Sequence, residues 1–337
     1  MRIAVLGAKG TTLDLIHNIR LRGDLDLVQV ITLDAEKAQI NKVAHYEGKQ
    51  ITAYCSENRL PLYTAKSYDL KDAADQAFFR KAGIDLLLVI GWERIIPDDV
   101  LRSLGLFACG MHGSAYGLPK GRGRSPMNWA ILSGHTKFIT YLFRYTAGMD
   151  DGDIIGFKAF DITPYDDISS LHVKNRIAMG ELVHTYVPLI GGDSLTLFPQ
   201  PDEKPTYYPK RVREDGFVDW HQPSETIHRL VRAVAPPYPG AMTLLGEEEI
   251  PVLQGQPFDS GLFDPSAAPG TILDVNLSLR RLVVKTGDGA YLVSDMGSTD
   301  FSMFDLATHF RSVPADTVLE RIRRRYPDWI PRDQQVI

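Results

Sequence analysis

The chain of 337 residues is 44% hydrophobic and 23% charged, with a formal net charge of -5 and an isoelectric point near 6.0. That length favours two domains of roughly 100–200 residues each, the composition excludes a largely disordered chain, and the charge gives no sequence-wide attraction to nucleic acid or an acidic membrane. Two cysteines, Cys55 and Cys109, exclude a disulfide framework and fit a reducing cytosol, and with no apolar run of about 18 residues a soluble, cytoplasmic protein without membrane contact is expected.

In chain order, Ile3 to Leu6 is a short apolar run ending in Gly7-Ala-Lys-Gly10. Leu13, Ile16, Ile19 and Leu21 follow at helical spacing, then a second apolar run from Leu27 to Leu33. This opening predicts a doubly wound, mostly parallel α/β sheet. Gly7-x-x-Gly10 lacks the G-x-G-x-x-G spacing, so a tight turn is favoured over a nicotinamide site. Helices are expected around Ile51 to Asn58, Asp72 to Ala82 and Pro97 to Ser103, with strands at Leu60 to Tyr63 and, most strongly, Ile84 to Ile90. After Phe107 to Gly110 come Met-His-Gly-Ser (111–114), a loop rich in Gly, Pro and Arg, and a helix after Pro126. Strands at Phe138 to Tyr145 and Ile154 to Phe160 flank Met149-Asp-Asp-Gly-Asp153, and a long helix from Ser169 to Ile190 closes the first domain. A helix at Ser224 to Ala233, short apolar runs between Met242 and Asp295 separated by turn residues, and a basic helix from Val318 to Tyr326 complete the chain. The expected division is a catalytic domain over 1–200, a linker over 201–213, a small β-barrel domain over 214–310 and a helical tail over 311–337.

The polar residues that carry chemistry stand at the ends of apolar runs, where a buried sheet delivers them to a cleft. His112 and Asp150 form an imidazole–carboxylate pair able to move a proton and orient its carrier. Lys120, Arg122 and Arg124, interleaved with glycines and followed by Ser125, are candidates to grip phosphate or carboxylate oxygens. The alternative for that loop is a flexible surface segment. Cys109 and His112 lack the further ligands of a zinc site, so no metal is expected. Gly91-Trp92-Glu93-Arg94-Ile95-Ile96 leaves the strongest strand beside the histidine loop and is a candidate wall of the cleft.

These motifs resemble one family. Met-His-Gly-Ser, Leu118-Pro119, Arg122-Gly123, Pro126 and Met149-Asp150-x-Gly152-Asp153 are similar to the pattern of formyltransferases that use 10-formyltetrahydrofolate. Glu214 to Trp220, Ile227 to Ala233 and Pro236-Pro-Tyr-Pro-Gly240 resemble the opening of the C-terminal barrel of methionyl-tRNA and sugar formyltransferases. The resemblance implies formyl transfer to a primary amine, with His112 managing the amine proton and Asp150 holding the histidine. It implies 10-formyltetrahydrofolate along a cleft bounded by Gly91, Trp92, Arg94, Ile95 and Ile96 on one side and Ser114, Leu118 and Pro119 on the other.

Two departures stand out. The family's catalytic asparagine falls on Gly110, leaving a backbone N–H near Gly110 or the Asn128 amide as substitutes, and two residues are inserted between Ser114 and Leu118. From Pro205 onward 14 Lys/Arg face 18 Asp/Glu, which disfavours tRNA. The expected acceptor is therefore a nucleotide-linked amino sugar, with Lys120, Arg122, Arg124 and Ser125 as substrate contacts. Methionyl-tRNA is the alternative, kept open by the basic helix near the end; a catalytically altered folate-binding module, a formyltetrahydrofolate hydrolase and a homodimer also stay open.

Overall fold

A computed structural model describes residues 1–306, 308–327 and 329. Residues 328 and 330–337 of the expected helical tail lie outside the described residues. The chain divides into two compact units. The first comprises residues 1–120, 139–160 and 174–205, and the second 121–138, 161–173 and the remainder from Thr206.

In chain order the first half contains β1 (Ile3–Leu6), α1 (Gly10–Arg22), β2 (Leu27–Leu33), α2 (Ala35–Ile40), α3 (Gly48–Glu57), β3 (Leu62–Ala65), α4 (Ala73–Ala82), β4 (Leu86–Val89), α5 (Asp98–Arg102), β5 (Phe107–Ser114), β6 (Arg122–Gly123), α6 (Pro126–Leu132), β7 (Lys137–Arg144), β8 (Ile154–Asp161) and α7 (Ile168–Tyr186). Seven strands make one sheet in the order β3-β2-β1-β4-β5-β7-β8, parallel from β3 to β5 and antiparallel between β5 and β7. The doubly wound sheet expected from the opening strand-helix-strand pattern is present. Its inner strands are apolar without alternation because both faces are covered. Ile3, Val5, Leu86 and Leu88 pack on one face with Ile16 and Ile19 of α1, while Ala4, Leu6, Leu87 and Val89 pack on the other with Phe79 of α4.

Local chemistry sets the helix ends. Asp34 accepts the Lys37 N–H at 2.7 Å and Asp72 the Ala74 N–H at 2.8 Å, capping α2 and α4. Among the expected elements, α3 starts at Gly48, one turn before Ile51, and β3 runs from Leu62, which pairs with Val30 of β2. Helix α7 stops at Tyr186 and passes into a short 3₁₀ turn at Val187–Leu189, since Pro188 has no N–H to continue the ladder.

The later elements are β9 (Tyr207–Tyr208), α8 (Ser224–Ala233), β10 (Ala241–Leu245), β11 (Glu248–Val252), β12 (Gln254–Phe258), β13 (Ile272–Asn276), β14 (Arg281–Lys285), β15 (Ala290–Asp295) and α9 (Ala315–Arg325). Strands β10 and β11 form a hairpin, and β12-β15-β14-β13 an antiparallel sheet. The second unit is thus an antiparallel β-domain around fully buried Trp220, Tyr291 and Phe310. Trp220 donates from Nε1 to Thr243 Oγ1 at 2.9 Å, so the large indole is buried without an orphaned N–H. Within the expected linker, Tyr207–Tyr208 pairs in parallel with Arg122–Gly123, and Pro209 O accepts the Trp129 indole N–H at 3.0 Å. No helix among the described residues is long and apolar enough to cross a membrane.

Candidate active site

Strand β5 places His112 opposite Tyr141 of β7. The loop after β7 returns Asp150 to it, so that His112 Nδ1 lies 3.4 Å from Asp150 Oδ2, with both side chains mostly shielded from water. That separation exceeds a formed N–H···O bond of about 2.7–3.2 Å. It is within the range that catalytic pairs shorten on closing around substrate. Asp150 has φ +52°, a left-handed conformation that aspartate tolerates better than most side chains.

The loop is fixed from several directions. Gln200 donates from Nε2 to the carbonyls of Asp150 (2.7 Å) and Gly152 (2.9 Å), and Arg144 N–H donates to Asp153 O at 2.8 Å. Thr146 donates from its hydroxyl to Asp151 Oδ1. A Cβ on Gly152 would lie 1.7 Å from Arg144 O, so this close approach of two backbones requires glycine. Gln200 carries no motif, and only its hydrogen bonds across 50 and 48 residues reveal its role.

The family asparagine position shows a rebuilt surface. Gly110 of β5 is paired with Phe143 of β7, and a Cβ there would fall 2.8 Å from Phe143 Cζ and 3.0 Å from Tyr145 Cδ2. Phe143 and Tyr145, two residues apart and so on one face, stack at 6.5 Å with 21° between their planes. Asn128 does not substitute for the missing amide. It is buried in the second unit, donating from Nδ2 to Ala233 O at 2.7 Å and bonding Tyr238 through its side chain. A buried amide so engaged is not available to a substrate.

Along the 91–96 segment, Gly91 has φ +73°. Trp92 packs edge-on against Tyr68 at 4.7 Å, and its Nε1 is buried without a hydrogen-bond partner among the described residues. Arg94 lies over the Tyr68 ring at 5.0 Å, Ile95 is exposed, and Ile96 is fully buried in the core. Of the opposite wall, Ser114 turns inward: its Oγ donates to Lys120 O at 2.6 Å and accepts the Tyr116 N–H at 3.1 Å, closing the loop on itself. Leu118 is buried with Tyr141 and Phe143, and the Leu118–Pro119 peptide is cis.

Lys120 pairs with Glu203. In the second unit Arg122 is 6% exposed and reaches the Tyr207 hydroxyl at 3.4 Å, Arg124 N–H donates to Tyr208 O at 3.0 Å, and Ser125 stands just before α6 at φ +53° without a side-chain capping bond. A cavity of about 600 Å³ in the first unit is lined by Leu101, Leu104, Ala108, Tyr145 and the backbone bend at Asp151–Asp153. A second, of about 440 Å³, is lined mainly by apolar groups including Leu118, Tyr141, Phe157 and Tyr186.

The chain thus joins a doubly wound sheet, on which His112 and Asp150 approach one another, to an antiparallel β-domain. Family models name the class: "Formyl transferase" matches residues 1–187 and "Formyl transferase, C-terminal domain" residues 211–311. The chain belongs to the formyl transferase family.

Solved structures share the fold. An N-formyltransferase from Helicobacter canadensis, in complex with folinic acid and dTDP-3-aminofucose, is 15% identical with a TM-score of 0.61, over 88% of this chain and 99% of that one. WlaRD, a sugar 3N-formyl transferase solved with dTDP and 5-N-formyl-THF, is 14% identical with a TM-score of 0.59, over 89% and 99%. A variant of HypX from Aquifex aeolicus is 19% identical with a TM-score of 0.60, over 96% of this chain and 48% of that one. The chain therefore spans about half the length of HypX.

Proposed function

We propose that this formyltransferase moves the formyl group of 10-formyltetrahydrofolate to a primary amine of a small molecule, a nucleotide-linked amino sugar. The observation that carries the reading is the approach of His112 to Asp150 at the end of β5. In this reading the donor supplies a formyl carbon open to attack by the amine. His112 takes the proton released as the new C–N bond forms and returns it to the departing folate nitrogen, and Asp150 orients the imidazole and stabilises it while it carries charge. The cavity beside Tyr145, with both polar and apolar groups in its lining, supports the reading of a heterocyclic donor.

Arg122 and Arg124 are the proposed guanidinium contacts to the acceptor's diphosphate, with Ser125 beside them. The pairing of Lys120 with Glu203 weakens its part in the same task. The basic run of α9 supports methionyl-tRNA less than its sequence does, because Arg325 is turned onto the buried Asp215 carboxylate at 2.6 and 2.7 Å. Mass spectrometry of acceptors after incubation with 10-formyltetrahydrofolate tests the proposal. One formyl group gained by a nucleotide-linked amino sugar is expected; formylation of methionyl-tRNA alone would replace this reading.

A further inference from the structure

Asp150 meets His112 from a loop that belongs to no strand, and its φ of +52° lies in the left-handed region, which an L-residue leaves unless something holds it there. The hold comes from a residue 50 positions on. Gln200 Nε2 donates to Asp150 O at 2.7 Å and to Gly152 O at 2.9 Å. A side-chain amide nitrogen carries two hydrogens and a carbonyl only accepts, so Nε2 rather than Oε1 must face the loop, and both donors are committed to it. The two peptide groups on either side of Asp151-Gly152 are thereby fixed together.

Gln200 is itself anchored. Two residues before it, Phe198 exchanges both backbone hydrogen bonds with Ile154, the first residue of the edge strand β8, at 2.7 and 2.9 Å. Pro201 after it restricts its backbone to extended conformations. The amide therefore stands on the sheet edge and reaches out to the loop.

We propose that Gln200 is a positioning residue for formyl transfer: by holding Asp150 O and Gly152 O it keeps Asp150 left-handed and its carboxylate on His112. The inference rests on the reading above, in which that pair carries the proton. Two net hydrogen bonds are of the size that offsets a left-handed aspartate. With the amide gone, Asp150 returns to right-handed or extended backbone, and its carboxylate, already 3.4 Å from Nδ1, moves out of reach of the imidazole.

The test is a double-mutant cycle on the full chain, read as tetrahydrofolate release from 10-formyltetrahydrofolate with a panel of nucleotide-linked amino sugars. Gln200→Glu keeps the shape and removes both donors; Gln200→Ala removes the side chain. Each should lower kcat by about 10²-fold, the cost of misplacing a group by about 1 Å, with little change in KM. Once Asp150 is Asn, either change should cost less than about twofold more, because nothing is left to position. Hydrogen exchange over residues 148–153, which needs no turnover, should be faster in Gln200→Glu. Parent-like kcat or unchanged exchange in that isosteric variant, or equal losses with and without Asp150→Asn, would overturn the role of Gln200. Parent-like kcat in Asp150→Asn alone, or no release by the parent with any acceptor, would instead overturn the reading of the pair or of the transfer, and this inference with it.

Discussion

Gly110 and Phe143 face one another across the antiparallel β5–β7 pair, and the Phe143 ring occupies the space a Gly110 side chain would need, 2.8 Å from where its Cβ would stand. The absent asparagine is therefore not a simple deletion. Aromatic rings have filled the surface from which an amide would project, and the glycine is what lets them lie on the strand.

Restoring the family residue follows from this. Gly110→Asn should destabilise the protein by about 1–3 kcal/mol, the usual cost of overpacking, and should lower formyl transfer. Adding Phe143→Leu should return part of the stability. Urea unfolding of the single and double variants checks this, and a gain in both stability and rate from Gly110→Asn alone would contradict it.

The acidic partner of the histidine offers a separate test. Asp150→Asn keeps the left-handed backbone tolerable and removes only the charge, so kcat/KM should fall by roughly 10²–10⁴ with stability within about 1 kcal/mol of the parent. Asp150→Ala should lose the same rate and, in addition, about 1–2 kcal/mol of stability from the φ of +52°. His112→Ala should match the Asp150→Asn loss in rate. Steady-state kinetics and thermal melts separate these outcomes, and near-normal turnover of any of the three would remove the pair from the chemistry.

Both thiols should be silent in the native protein. Burial alone raises Cys55 to about 11 and Cys109 further still, and the thiolate is the reactive form. Ellman's reagent near pH 8 should label neither until denaturant is added and both afterwards. Rapid labelling of native Cys109 would show that the floor of β5 opens.

Acid stability should report on Asp219. Burial works to raise its pKa, but the N–H groups of Ala315 and His221 and the Gln222 amide outweigh it and hold the carboxyl below its ordinary value of 3.8. The unfolded chain takes up the proton first. The contribution is thus complete above the ordinary carboxylate value and is lost as pH falls through the depressed native one. Asp219→Asn should be less stable than the parent at neutral pH, with the gap narrowing below about pH 4; a gap that persists or widens in acid would contradict this.

What the sequence made legible was what local patterns control. The run at Ile84 to Ile90 contains the buried strand β4, α8 occupies the expected Ser224–Ala233 span, and the acidic motif lies between β7 and β8, but β5 runs on past Gly110 and takes in Met-His-Gly-Ser as its last four residues. What escaped was long-range. In sequence Phe143 and Tyr145 are ordinary strand aromatics; only the β5–β7 pairing sets them over Gly110, whose missing side chain leaves the space they fill. Asn128 was a candidate amide only while its bond to Ala233, 105 residues away, was out of view. The short β6–β9 pairing depends on backbone hydrogen bonds between distant segments, which no hydrophobic period records.

The most direct measurement is release of tetrahydrofolate from 10-formyltetrahydrofolate, followed by absorbance with nucleotide-linked amino sugars, small amino acids and methionyl-tRNA offered in turn beside a control without acceptor. The account predicts release that requires a nucleotide-linked amino sugar and collapses in His112→Ala. Equal release without any acceptor would make the protein a hydrolase of formylfolate and contradict the transfer reading.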